Sequence, residues 1–208
     1  MNLQRMSAAI AFSVVWGIAG AGTAEPVLSI VSGAPGGYAV QNSTHGWRFT
    51  ANSPIVVTHL GLFDDNTDGF RTDHPIGIFN SGGALLTSGI VHAGTGDALI
   101  DRFRYVDTPD LQLVTGRQYV IAWYTDILAP SSSDYWFTQI SDGEFSVSPV
   151  ITRIPNRLSK GSTGGLTLPT TVIVNDEAIG ANFLFAVPEA SSLALLAIGC
   201  AVIPIRRR

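Results

Sequence analysis

The run Asp64-Asp65-Asn66-Thr67-Asp68-Gly69 is the densest cluster of metal-capable oxygens in the chain. Side-chain oxygens at Asp64, Asn66 and Asp68, with Gly69 behind them, reproduce the opening half of a calcium loop. A hard cation takes several hard oxygens, and the glycine permits a sharp turn. The closing glutamate of an EF-hand would fall where Pro75 stands. The run is therefore no EF-hand, and further ligands would come from backbone carbonyls or Asp73. A polar hairpin turn accounts for the same residues without a metal. Calcium is the single cofactor that the sequence suggests.

Other residues with chemical potential are dispersed. His45, His59, His74 and His92 share no ligand spacing, and Asp73 and His74, as neighbours on a strand, would point to opposite faces. No G-x-S-x-G motif marks a nucleophile. Glutamate pairs for glycoside hydrolysis are poorly supplied, because between the two apolar ends only Glu25, Glu144 and Glu177 are present, although Asp pairs stay open. The lone Cys200 excludes an intramolecular disulfide and a cysteine-based zinc site. Trp123 and Trp136, together with Trp47, Tyr124 and Tyr135, could offer ring faces to sugars. The competing reading is ordinary core packing. Asn42-Ser43-Thr44 matches a glycosylation sequon.

The elements that must position these residues read as strands. The chain has 208 residues, 46% hydrophobic and 13% charged, with 22 glycines and 11 prolines. That composition fits one folded domain with appendages and excludes a disordered chain. Short turn-bounded runs at Val27–Val31, Trp47–Thr50, Ile55–Phe63, Ile76–Phe79, Leu85–Val91, Ala98–Val106 and Gln118–Thr125 predict strands. So do Tyr135–Ile140, Phe145–Ile151, Thr170–Val174 and Ala181–Phe185. Asp101 to Val106 alternates, with polar residues expected on one side and aromatics on the other. Pro155 to Pro169 reads as a long loop. The expectation is an all-β domain over residues 25–186, an antiparallel β-sandwich of jelly-roll type. Between Glu25 and Glu177 fifteen acids face eight bases. Such a region repels phosphate backbones, which argues against nucleic-acid binding.

The two ends are different material. Residues 1–24 carry Arg5, an uncharged apolar stretch from Ala8 to Ala21, and small residues before Glu25, as a secretory signal peptide does. A cut after Ala24 is expected, one after Ala21 also works, and an N-terminal membrane anchor is the competing reading. Residues 187–208 begin with Val187-Pro188-Glu189-Ala190, continue through an apolar segment to Ile205, and end in Arg206, Arg207 and Arg208. As a helix, Ser191 to Ile205 would span about 22 Å, short of the roughly 30 Å hydrocarbon core. Arginine snorkelling covers part of the deficit, and the basic cluster holds that end in the cytoplasm. A buried core helix is the competing reading, disfavoured by three adjacent arginines.

This three-part tail resembles the PEP-CTERM sorting signal of Gram-negative bacteria, a Pro-Glu-Pro motif followed by a hydrophobic helix and a basic end. Ala190 stands where the second proline would be. The resemblance implies that an exosortase, an integral-membrane cysteine protease or transpeptidase, cuts near Pro188-Glu189, with Arg206 to Arg208 retaining the tail until then. It also implies a transient inner-membrane anchor and a final place in the outer envelope or exopolysaccharide matrix. Leu168-Pro169-Thr170-Thr171 starts like a Gram-positive sortase motif, but Val172 stands where glycine is required. A second resemblance, to an uncharacterised β-sandwich family that often bears the same tail, rests on several blocks. These are Gly46 to Thr58, Leu60 to Asp64, Ile76 to Phe79, Phe103-Arg104-Tyr105, Gly116 to Val120 and Ala181-Asn182-Phe183. It implies a fold and a surface location, and no chemistry. The expected function is a secreted, surface-sorted protein without catalysis. The alternative is a calcium-stabilised carbohydrate-binding module that uses Trp123 or Trp136.

Overall fold

The computed structural model describes residues 23–31, 42–125, 145–161, 164–174 and 179–188. The apolar N-terminal segment through residue 22, the strand expected over Tyr135–Ile140, Trp136, and the tail from Glu189 onward lie outside the described residues. What is described is all-β and antiparallel, with strands in two large sheets and one small one. The first sheet has the order β1 (Glu25–Pro26), β13 (Ala181–Ala186), β4 (Ile55–Phe63), β8 (Phe103–Leu113), β7 (Ala98–Ile100). The second runs β12 (Thr171–Ile173), β11 (Ile151–Gly161), β3 (Ser43–Ala51), β9 (Gln118–Thr125), β5 (His74–Asn80), β6 (Leu85–Val91). A separate pair joins β2 (Leu28–Ile30) to β10 (Phe145–Val147).

The two large sheets bury their facing side chains in one core, as a sandwich does. Trp47 and Phe49 of β3 are fully buried, and Phe49 lies 5.3 Å from Phe183 of β13, ring centre to ring centre. The indole of Trp47 reaches the other sheet and donates to Ala181 O at 2.9 Å, so its one polar atom is paired inside the core. On β3 the alternation is the expected one: Trp47 and Phe49 point inward, while Arg48 and Gly46 lie on the outer face.

The first sheet is covered on both faces, and this removes the alternation expected of β8. Phe103, Arg104, Tyr105 and Val106 are all buried, although successive side chains point to opposite sides. The Asn182 side chain of β13 grips Leu28, accepting from its N at 3.1 Å and donating to its O at 2.8 Å. Asp101 accepts from Ile30 N at 2.9 Å. These bonds hold the β2–β10 pair over the outer face of the sheet. A strand buried on both sides reads as a continuous apolar run, and β13, Ala181-Asn182-Phe183-Leu184-Phe185-Ala186, is buried throughout.

Two expectations are corrected. Ala98 to Val106 is a hairpin and not one strand: Asp101 and Arg102 both have positive φ, at 47° and 66°, and Ile100 pairs with Phe103. Two such residues make the tight turn that matches strand twist. The first part of the segment expected to loop, Pro155 to Gly161, is strand, because β11 runs on to Gly161. The proline is accommodated where the pairing with β3 shifts register between Ile154 and Leu158.

Close approach also explains one glycine. Gly61 of β4 pairs with Tyr105 of β8, and a Cβ at Gly61 would collide with the Tyr105 ring. The ring lies flat over the glycine, where burial, followed by the charge of Asp101, pushes the phenol pKa up. Gly61→Ala is expected to cost about 1–3 kcal/mol by forcing that ring off its seat. A lowered urea midpoint with an unchanged slope is the readout.

Candidate functional site

The acidic run follows directly on β4. Asp64 is buried, Asp65 half-buried and Asp68 exposed. One carboxylate oxygen from each of the three lies within 4.8 Å of the others, and no other such group of His, Cys, Asp or Glu occurs among the described residues. The structure thus brings Asp64 and Asp68 together with Asp65. Crowding has an electrostatic consequence. Burial raises the Asp65 pKa first, its bond from Asn66 N opposes this, and the charges of Asp68 and Asp64 raise it further. The native state therefore holds that proton more tightly than the unfolded chain does. The ionised carboxylate is an unfavourable term, present at neutral pH and relieved as pH falls through the carboxylate range.

A cation already sits against this cluster, and it belongs to the protein. Arg104 of β8 is 4% exposed and Asp64 2%; Arg104 Nε donates to Asp64 Oδ2 at 2.6 Å. Arg104 Nη1 donates to Thr95 O at 3.0 Å and Asp97 O at 3.1 Å, and Nη2 donates to Thr67 O at 3.0 Å. The planar fork thus closes two loops, 64–69 and 92–97, over one end of the sandwich. Asp64 Oδ2 also accepts from Gly69 N at 3.0 Å. Gly69 has φ +90°, and a Cβ there would collide with Gly94 O, so only glycine fits between the loops. Thr67 holds φ at 61°, an outlier for a β-branched residue, and its carbonyl is one of those that Arg104 takes.

The neighbouring acids have the same role. Asp73 Oδ1 accepts from Ala93 N at 2.9 Å, and Asp97 Oδ2 accepts from His92 N at 2.6 Å. Asp65 Oδ1 accepts from Asn66 N at 2.9 Å. Arg102 stacks over Phe63, 4.9 Å from its centre, and donates to Asp65 O at 2.6 Å. The acid-rich sequence is in large part a set of carboxylates satisfying backbone N–H groups where the ladders end. Asn66 is exposed and stays near the cluster only through the chain.

The aromatic expectation meets a different geometry. Trp123 is 0% exposed, and its ring is packed so closely against Gly180 that no Cβ would fit there. A ring held in this way has no face open to a sugar. Trp47 is equally buried, and the Tyr124 hydroxyl donates to Asn42 Oδ1 at 2.7 Å. The histidines stay apart. His59 contacts Thr58, His92 pairs with Asp97 at the surface, and His74 sits edge-on to Phe70. One pairing was missed in the sequence: Ser43 Oγ and His45 Nε2 are 2.7 Å apart. Two residues on the same face of β3, spaced i and i+2, are the signal that could have found it. Both are buried, at 0% and 1% exposure, beneath the surface of the sheet end.

Comparison of the chain with protein-family models and with curated proteins finds no match. The site is therefore argued from its own geometry. Among the described residues no helix is long and apolar enough to cross a membrane.

Arg104→Leu is expected to lower stability by about 3–5 kcal/mol, since it leaves the Asp64 charge buried without its counter-charge. Adding Asp64→Asn should return part of that loss in urea titrations. Equal midpoints for the single and double variants would show that the ion pair is not what holds the two loops.

Proposed function

We propose that this chain is a secreted, surface-sorted, non-catalytic β-sandwich protein, of jelly-roll type, of a Gram-negative envelope or exopolysaccharide matrix. An N-terminal signal directs export, and an exosortase processes the tail near Pro188-Glu189. The observation that carries the reading is where the fold ends relative to the motif. β13 supplies buried side chains through Ala186, and Val187 immediately after it is 52% exposed, followed by an exposed Pro188. A cut beyond Pro188 leaves every described core residue in place. The start of the domain lies beside the same point, since Glu25 of β1 pairs with Phe185 of β13. Both expected processing positions therefore adjoin one paired strand end. The test is the mass of the protein purified from its native host. The expected product begins near Glu25 and lacks Arg206 to Arg208, while Glu189→Ala retains the arginines and stays in the inner-membrane fraction. A wild-type product that still ends in the arginines overturns the reading.

A second reading, calcium stabilisation of the same domain, is favoured by the three converging carboxylates and by the raised Asp65 pKa, which a bound cation would reverse. Asp65, Asp68 and the free oxygen of Asp64 would be ligands, with Asn66 beside them and Arg104 opposing through like charge. Millimolar calcium should then raise the thermal midpoint of the full chain, and Asp68→Asn should abolish the rise. An unchanged midpoint removes the metal.

A further inference from the structure

The outer face of the six-stranded sheet carries a second, smaller apolar cluster. Phe79, Val120, Ala122 and Leu158 are buried there, and Leu166 and Leu168 pack over them. The segment from Leu166 to Thr170 is thus a strap across the outside of the sandwich, and Pro169 within it is buried. The sortase-like Leu168-Pro169 pair is packing material. Beside the strap lies a cleft of about 200 Å³, partly open to solvent. Its floor includes Leu158 and Leu168.

Five lining residues have polar side chains; Tyr119 is buried and its hydroxyl accepts from Val114 N, which leaves Arg48 of β3, Ser81 of the β5–β6 turn, Gln118 of β9 and Thr170 of the strap. Arg48 is half-buried and is the single charged residue lining the cleft. Among the described residues, none of the four has a side-chain hydrogen bond or ion pair. The contrast with the other end of the molecule is sharp. There Arg104 makes four side-chain bonds, and the acids cap backbone groups. At the strap, a cation, an amide and two hydroxyls line one cleft without protein partners among the described residues.

We propose that this cleft binds the carboxylate-bearing ring of a sugar acid, free or as a residue of an acidic polysaccharide, with Arg48 pairing its carboxylate. The chemistry of the lining selects this class. One guanidinium matches one negative charge and offers a planar fork to a carboxylate. A phosphate dianion would meet a single cation, one charge short of its own. Ser81, Gln118 and Thr170 supply both donors and acceptors, which hydroxyls on a ring use and a fatty-acid chain does not. Leu158 and Leu168 pack the C–H face of such a ring, the usual combination of apolar walls with a few placed polar groups. The proposal concerns what the displayed domain holds and stands whether or not the tail is cut.

The experiment is calorimetric titration of the full chain with glucuronate, glucose and a soluble polyglucuronate. Glucuronate or its polymer is expected to bind at least about tenfold more tightly than glucose, and Arg48→Gln should erase that preference. The thermal midpoint of Arg48→Gln should stay at the wild-type value, because Arg48 has no internal partner to lose. Should that variant fail to fold, Ser81→Ala and Thr170→Ala serve in its place, each weakening binding several-fold. Binding of the monomer assigns a free acid, and binding of the polymer alone assigns a residue within a chain. No saturable binding of either, or acid binding that survives Arg48→Gln and the two alanine variants, overturns the proposal.

Discussion

A guanidinium buried at one end of the sandwich governs the order of everything around it. Arg104 and Asp64 are nearly inaccessible, and removing either would leave a charge in a low-dielectric interior. Two charges taken out of water are tolerable only when their remaining hydrogen-bonding capacity is met. Arg104 meets this condition by collecting three carbonyls from two loops, and Asp64 by accepting also from Gly69 N. The outcome is specific geometry. Loops 64–69 and 92–97 have one arrangement that satisfies the fork, and the strained φ of Thr67 is held within it.

Coverage of both faces of the first sheet is the second organising feature. The β2–β10 pair is held there by the side chain of Asn182 and by Asp101, so a short N-terminal segment is pinned by residues far along the chain. The arrangement ties the beginning of the domain to its last strand, and the exposed Val187 and Pro188 follow from that strand. The last described strand therefore ends at Ala186, next to its pairing with β1. Among the described residues, the strap at Leu166 to Thr170 packs on the outer face of the second sheet, and the polar residues around Arg48 line the cleft beside it.

Strand positions were readable to the extent that burial was one-sided or the flanking turns were distinct. Ile55–Phe63, Leu85–Val91 and Gln118–Thr125 are found with the expected bounds. The hairpin at Asp101-Arg102 was not legible, because neither residue is the glycine or asparagine that usually announces positive φ. The continuation of β11 past Pro155 was hidden because proline reads as a breaker until a register shift is known to absorb it. At the acidic run, the oxygens converge as their spacing suggests. Nothing local disclosed that an arginine 40 positions away would claim Asp64, since an ion pair between strands depends on register. For the same reason Trp123 could be read equally as platform or as core.

By itself the sequence determined the class of the domain, most of its strands, the segmentation into apolar ends and a turn-rich middle, and the clustering of carboxylates after β4. These follow from local properties: side-chain period, turn residues and hydropathy act over a few positions. The tertiary structure alone decided which acids are structural caps, that Arg104 is buried, that Trp47 and Trp123 are interior, and that Arg48, Ser81, Gln118 and Thr170 share one cleft. Each of these depends on which strands become neighbours and on which face is covered. Those relations are set by packing and hydrogen-bond register across residues distant in the chain.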